Sequence, residues 1–185
     1  MNSRTIHTDN EIDLTEAFAL VSSGEITSKD VENYILGLLG ELYETATDRF
    51  YVQITGNKKK LKHIASIHED QTKARAKRRN AAIVLIEEII NNAAYDSTSD
   101  VDFSHNTGKR TLSRKAEKVM EYVYFNSPAI IRGGKETKHY TIRITTERIK
   151  DQDPNLLDLY YLSVKEVEPS NRNDNVTLPP GSINS

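Results

Sequence analysis

The residues in this chain able to do chemistry are its histidines and one block of cations. The stretch "ITGNKKKLKHIAS", residues 54 to 66, sets Lys58, Lys59, Lys60 and Lys62 beside His63. Lys73, Arg75, Lys77, Arg78 and Arg79 follow shortly after. Further on, "HYTIRITT" alternates His139, Thr141 and Arg143, so a strand would carry all three on one face. Imidazole titrates near neutrality and serves as general base or acid. The planar guanidinium donates in pairs to phosphate oxygens. Metal-independent RNA cleavage needs a base for the 2′-hydroxyl, an acid for the leaving oxygen and cations for the charged phosphorane.

These types and spacings define a candidate set. His63 is the first choice for base or acid, and Arg78, Arg79 and Arg143 would clamp the phosphate. His139 or Tyr124 would complete the set, with Tyr124 stacking a base or donating its hydroxyl. Lys58, Lys59, Lys60, Lys62, Arg75 and Thr141 would line the path of the nucleic acid. This chemistry calls for no cofactor and no metal. Each residue also has a plainer reading. His63 could be a solvent-facing or capping histidine, and a His-Thr-Arg row also describes any strand face turned to water. Tyr122 and Tyr124 could be aromatics at the edge of a core. Of the other histidines, His105 lies in "SHNTGKR", a loop that could close over a ligand, whereas His7 and His68 have no supporting neighbours.

Other chemistries find less. His63 and His68, followed by Glu69 and Asp70, do not have a zinc spacing. "GKR" and "RGGKET" lack the full phosphate-loop pattern. Ser113 and Ser127 have no evident base partner. With no cysteine, disulfides, thiolate metal sites and cysteine nucleophiles are excluded. The net charge is −2, but residues 58 to 79 hold nine Lys/Arg against Glu69 and Asp70, leaving an acidic remainder. A basic segment on an acidic body points to a local polyanion site rather than general coating of nucleic acid, or else to two ordinary solvated faces.

The elements that must position these groups follow from periodicity. Residues 11 to 22 read as a short helix closed by Gly24. "TSKDVENYILGLLGELYETA" reads as an amphipathic helix with Thr27 or Ser28 as N-cap and Val31, Ile35, Leu38 and Leu42 as its buried stripe. "RFYVQITG" reads as a strand, and residues 71 to 94 as one long helix, basic first and apolar later. "YDSTSDVDFSHNTGKRTLS" is turn-rich and reads as a loop. "RKAEKVMEYVYFNSPAIIRGG" begins helically and becomes a strand, with Pro128 at an edge or a bulge. "GGKE" is a hairpin turn, "KHYTIRITTERI" a strand, "QDPN" a turn, and "LDLYYLSVKEVE" the last strand, with Tyr160, Leu162 and Val164 on one face. The expected fold class is α+β: N-terminal helices and one long helix on an antiparallel sheet of about four strands. The expected division is a helical extension at 1–47, an α+β domain at 48–168 and a flexible tail at 169–185.

The segments "FYVQITG", "KHI", "KRRNAAIVLIEEIINNAAYDS", "YVYFNSPAII", "RGG", "YTIRITTERI" and "DLYYLSVKEVE" together resemble the β-rich large polyvalent protein-associated domains of phages and conjugative elements. Those domains are grouped with the barnase/EndoU/RelE-like nuclease superfamily. The resemblance covers about residues 50 to 167 and is one of pattern. It implies helices packed on a four-stranded antiparallel sheet with RNA crossing the sheet face. The function expected is a metal-independent ribonuclease-like effector. The alternative is a non-catalytic module that binds nucleic acid or protein within a larger polyvalent phage protein. The partners implied are RNA, other domains of such a protein, or a host protein. No apolar run approaches the roughly 20 residues that span a bilayer. The N-terminal "MNSRTIHTDNEIDL" lacks a signal-peptide core. The expectation is therefore a soluble protein of the host cytoplasm, away from membranes.

Overall fold

The fifteen residues Val119–Gly133 form the longest strand of the computed structural model. The structure describes residues 10–47, 49–65, 73–100 and 118–167, the side chains of His63 and Ala65 excepted. In chain order the elements are β1 (Ile12–Asp13), α1 (Thr15–Ser23), α2 (Ser28–Gly37), β2 (Leu42–Glu44), β3 (Tyr51–Gln53), α3 (Lys58–Ala65), α4 (Lys73–Val84), α5 (Ile86–Asn92), β4 (Ala94–Asp100), β5 (Val119–Gly133), β6 (Glu136–Ile149) and β7 (Leu156–Glu166). His7, His68, His105, Ser113 and the expected tail at 169–185 lie outside the described residues.

The long strands alternate as their sequences require. β5 and β6 form a hairpin in register from Gly133↔Glu136, with Gly134 at φ 57 in the two-residue turn. β7 returns antiparallel to β6. Around these three strands the sheet departs from the expected one. It is a mixed seven-stranded half-barrel in the order β1-β5-β6-β7-β3-β2, with β4 also on β5. β1 runs parallel to β5, and β3 runs parallel to β7. The expected four-stranded antiparallel sheet is thus incorrect. Strands of two or three residues are too short to show a period, and β4, "AYDSTSD", lies on the sheet rim with no buried residue to mark it.

Three helix expectations also differ from the structure: the first, read over residues 11 to 22, begins only at Thr15, because Ile12–Asp13 pairs with β5 as a strand. The helix expected over 27–46 ends at Gly37, because Gly40 turns the chain at φ 90 and donates its N–H to Ile54 O at 2.8 Å. Leu42–Glu44 then pairs with β3 as a strand. The long helix expected over 71–94 breaks at Leu85 (φ −107, ψ 25). Ala81, Ala82, Ile83, Ile86, Ile89 and Ile90 are all buried, and the break lets two short helices turn them inward.

The lysine-rich stretch forms helix α3, Lys58–Ala65. Asn57 Oδ1 accepts the Lys60 N–H at 3.0 Å and caps α3. Leu61 and Ile64, three apart, are fully buried, while Lys58, Lys59 and Lys62 stay on the exposed side. Gly56 sits at φ 115, where a Cβ would approach Lys60 Cδ to 2.7 Å.

One core unites the elements. Leu14, Val31, Ile35 and Tyr43 share it with Leu61, Ile83, Ile86, Phe125, Ile142, Ile144 and Leu162. Pro128 lies on β5 between the contacts of β4, which end at Asn126, and those of β1, which begin at Ala129. A residue without an N–H is tolerated at that gap. Tyr160 departs from the expected row with Leu162 and Val164, because the register shifts between Thr145 and Thr146 and leaves Tyr160 as the extra residue.

The start of α2 offers a direct test of local physics. Thr27 Oγ1 accepts the Asp30 N–H at 3.2 Å, and Asp30 Oδ2 accepts the Thr27 N–H at 2.8 Å, a reciprocal capping box. Thr27→Ala is expected to lower the unfolding free energy by about 1 kcal/mol, read by urea titration. The Thr27 backbone N–H, and then its hydroxyl, holds the Asp30 carboxyl below its ordinary 3.8. A lowered folded value means that the carboxylate stabilises the fold above about pH 4 and that this is lost as pH falls through the folded value. Asp30→Asn should therefore flatten the acid limb of a stability–pH curve, and an unchanged limb would refute the assignment.

Candidate nucleic-acid interface

Alternation along β5 and β6 divides the candidate residues between the two faces of the sheet. Val123, Phe125, Tyr140, Ile142 and Ile144 turn toward the core, and all five helices contribute to packing on that side. Tyr124, His139, Thr141 and Arg143 therefore project from the opposite face. Register sets Tyr124 opposite Thr145 and Asn126 opposite Arg143.

On that open face the groups make definite contacts. The Arg143 guanidinium carbon stands 4.1 Å from the centre of the Tyr124 ring. Arg143 Nη2 is 3.9 Å from Asp96 Oδ2 on β4. Tyr124 Oη and Ser99 Oγ share a hydrogen bond of 2.8 Å. Tyr122 and Tyr160 stack nearby, with centroids 5.4 Å apart and planes inclined at 35°. Burial, then Tyr160 and Glu147, raises the Tyr122 phenol above its ordinary 10, so it stays neutral. At the other end of the row, His139 Nδ1 is 3.3 Å from Glu11 Oε1. His139 and Arg143 are four residues apart along an extended strand, about 13 Å.

The α4 arginines form a second group. Arg75, Arg78 and Arg79 line a cavity of about 510 Å³ with Tyr161, Ser163, Val164, Lys165 and Glu166 of β7. Arg79 is 1% exposed, and its Nη1 donates to Tyr161 Oη at 3.0 Å. Its Nε and Nη2 have no hydrogen-bond partner among the described residues. The Arg78 guanidinium lies 5.2 Å from the Tyr140 ring centre, on the core side of β6.

The structure thus brings His139, Thr141, Arg143 and Tyr124 onto one face, and Arg75, Arg78 and Arg79 into one cavity. The sheet stands between Arg78 and Arg143, while Tyr161, Ser163 and Lys165 of the cavity pair with Thr145, Arg143 and Thr141, so the two sets adjoin at the β7 edge without sharing a cavity lining. His63 lies on α3, and its side chain lies outside the described residues. Among the lysines of α3, Lys60 approaches Glu147 at 3.6 Å and Lys62 approaches Glu32 at 3.9 Å, while Lys58 and Lys59 are exposed.

Several contributors escaped the sequence reading. Tyr161 and Lys165 line the arginine cavity, and Tyr160 joins Tyr122 on the open face. The adjacent "YY" in an alternating strand was the available signal, since two neighbouring tyrosines cannot both face a core. Glu11 and Asp96 come from distant segments, and nothing local marked them. Among the described residues, no helix is long and apolar enough to cross a membrane. Comparison with protein-family models, curated proteins and solved structures returns no match to this chain.

Proposed function

We propose that this chain is an RNA-binding module that receives single-stranded RNA on its open sheet face. The observation that carries the reading is the Arg143–Tyr124 stack beside the Tyr122–Tyr160 pair, on the sheet face opposite the hydrophobic core. Bases stack on aromatic rings without sequence preference, and the cation attracts the backbone. His139 and Thr141 extend the row in the direction a strand of RNA would run. The exposed Lys58 and Lys59 of α3 supply longer-range attraction. A larger phage or mobile-element protein, host cytoplasm as its location, and host or domain partners belong to this proposal on the resemblance of residues 50 to 167.

Ribonuclease activity is the second reading, favoured by the Glu11 carboxylate that holds the His139 imidazole at 3.3 Å. The separation of about 13 Å between His139 and Arg143 along β6 exceeds what one phosphate can bridge, which is why binding ranks first. One experiment tests both. Fluorescently labelled single-stranded RNA is titrated with protein in EDTA over a range of salt, and the RNA is then run on a gel. Binding that weakens steeply with salt and leaves the RNA intact supports the module. Cleavage lost in His139→Ala or His63→Ala would establish the enzyme instead. Neither binding nor cleavage would rule out both.

A further inference from the structure

The geometry of α4 and β7 points to a second site: we infer that the arginine cavity is a receptor for a phosphate monoester. This inference stands apart from the sheet-face reading, because it rests on the α4 arginines at the β7 edge and not on the Arg143–Tyr124 stack. Arg79 is among the largest fully buried side chains in the structure. A guanidinium does not lose its proton in a protein, so its charge is buried with it. Among the described residues its polar contacts are the Tyr161 hydroxyl at 3.0 Å and the face of the same ring at 5.7 Å. No described carboxylate lies within ion-pair distance of it. Buried cations are ordinarily paired, because the desolvation penalty is otherwise uncompensated. Two of its donor atoms, Nε and Nη2, have no hydrogen-bond partner among the described residues, and neither has Arg78 Nε beside it.

The chemistry of the walls selects the ligand. Among the described lining residues other than Arg75, the cations Arg78, Arg79 and Lys165 stand against one acid, Glu166, and that carboxylate is 3.7 Å from Lys138 Nζ. A surplus of guanidinium forks suits a dianion with several acceptor oxygens, which is the form of a phosphate monoester. The cavity, about 510 Å³, is in the range of small-molecule sites and larger than a bare phosphate requires. The phosphate therefore enters carrying a nucleoside or a similar group. Ser163 and Lys165 of the lining pair in register with Arg143 and Thr141 of the open face. The same chemistry is thus offered to two sources, a free mononucleotide and the 5′-phosphate end of an RNA that runs over the β7 edge.

The test is calorimetric titration of the full chain with adenosine monophosphate and with a trinucleotide bearing either a 5′-phosphate or a 5′-hydroxyl. Wild type, Arg79→Met and Arg78→Gln are compared, with Tyr124→Ala as the variant of the other face. The expected result is that both phosphate monoesters bind wild type and weaken about ten-fold or more in Arg79→Met, as loss of hydrogen bonds to a charged group requires. Arg78→Gln, on the less buried wall, should weaken them in the same direction and covers the case in which Arg79→Met fails to fold. A preference for the 5′-phosphorylated trinucleotide over the mononucleotide identifies the RNA end as the source, and the reverse identifies a free nucleotide. Tyr124→Ala should leave mononucleotide affinity unchanged, so failure of the sheet-face reading and failure of this one are distinguishable. A second measurement is melting temperature. Without ligand, Arg79→Met should melt at or above wild type, since an unpaired buried charge has been removed, and monoester should raise the melting temperature of wild type alone. Equal affinities across wild type and both arginine variants, or no monoester binding by wild type, would overturn the inference.

Discussion

Phe125→Ala is expected to lower the unfolding free energy by about 3–5 kcal/mol, the largest effect of any single change considered for this chain. The ring is fully buried on the helix side of β5. It meets Phe50 edge-on, with centroids 5.5 Å apart and planes at 74°, and Tyr95 at 6.3 Å and 78°. Truncation removes that packing together with the transfer free energy of the ring, and backbone strands on both sides prevent the void from closing. Domains of this size have only about 5–15 kcal/mol in total, so the urea midpoint should fall steeply at unchanged slope. Met120, on the same strand and 59% exposed, is the control: Met120→Ala should stay within about 0.5 kcal/mol. The contrast also checks the functional argument. If Phe125→Ala were as mild as Met120→Ala, the two faces of β5 would be reversed and Tyr124 would not be available to RNA.

The second large effect concerns binding. Tyr124→Ala should weaken single-stranded RNA by roughly 1–3 kcal/mol, about five-fold to more than a hundred-fold, measured by anisotropy at one fixed salt concentration. Two losses combine in that substitution. The ring no longer stacks a base, and Arg143, which lies 4.1 Å from it, loses the surface that holds its guanidinium over the sheet. The double variant with Arg143→Ala should therefore be weaker by less than the sum of the single losses, because the residues touch. Arg143→Gln alone should reduce the salt slope by about one charge, which Tyr124→Ala should not do directly. Full RNA affinity in Tyr124→Ala would remove the sheet-face stack from consideration and leave the arginine cavity and the α3 lysines as candidate contacts among the described residues.

The candidate residues were legible in type but not in arrangement. His139, Thr141 and Arg143 share a face because alternation in an extended chain is local, and "HYTIRITT" displays it over enough residues to read. The basic block at 58–79 was equally visible. Its expected convergence with the row on β6 was not, since convergence depends on which side of the sheet α4 packs. Arg78 arrives on the core side, against Tyr140, and the sheet parts it from Arg143, whereas Arg79 reaches round to Tyr161 of β7, which pairs with Thr145 on Arg143's own face. Glu11 reaches His139 across 128 positions, a contact no local pattern records.

By itself the sequence determined the three long strands, the β5–β6 turn, the start of α2 and the faces of β5 and β6 up to the bulge on β7, because each depends on neighbours within a few residues. Tertiary structure alone decided the parallel contacts of β1 and β3, the break at Leu85 and the burial of Arg79. Strands of two or three residues carry no period, and an apolar run such as "AAIVLIEEII" is compatible with one helix or two. Which of these forms is decided by the shared core, where Leu14, Val31, Phe125 and Ile142 must be excluded from water together.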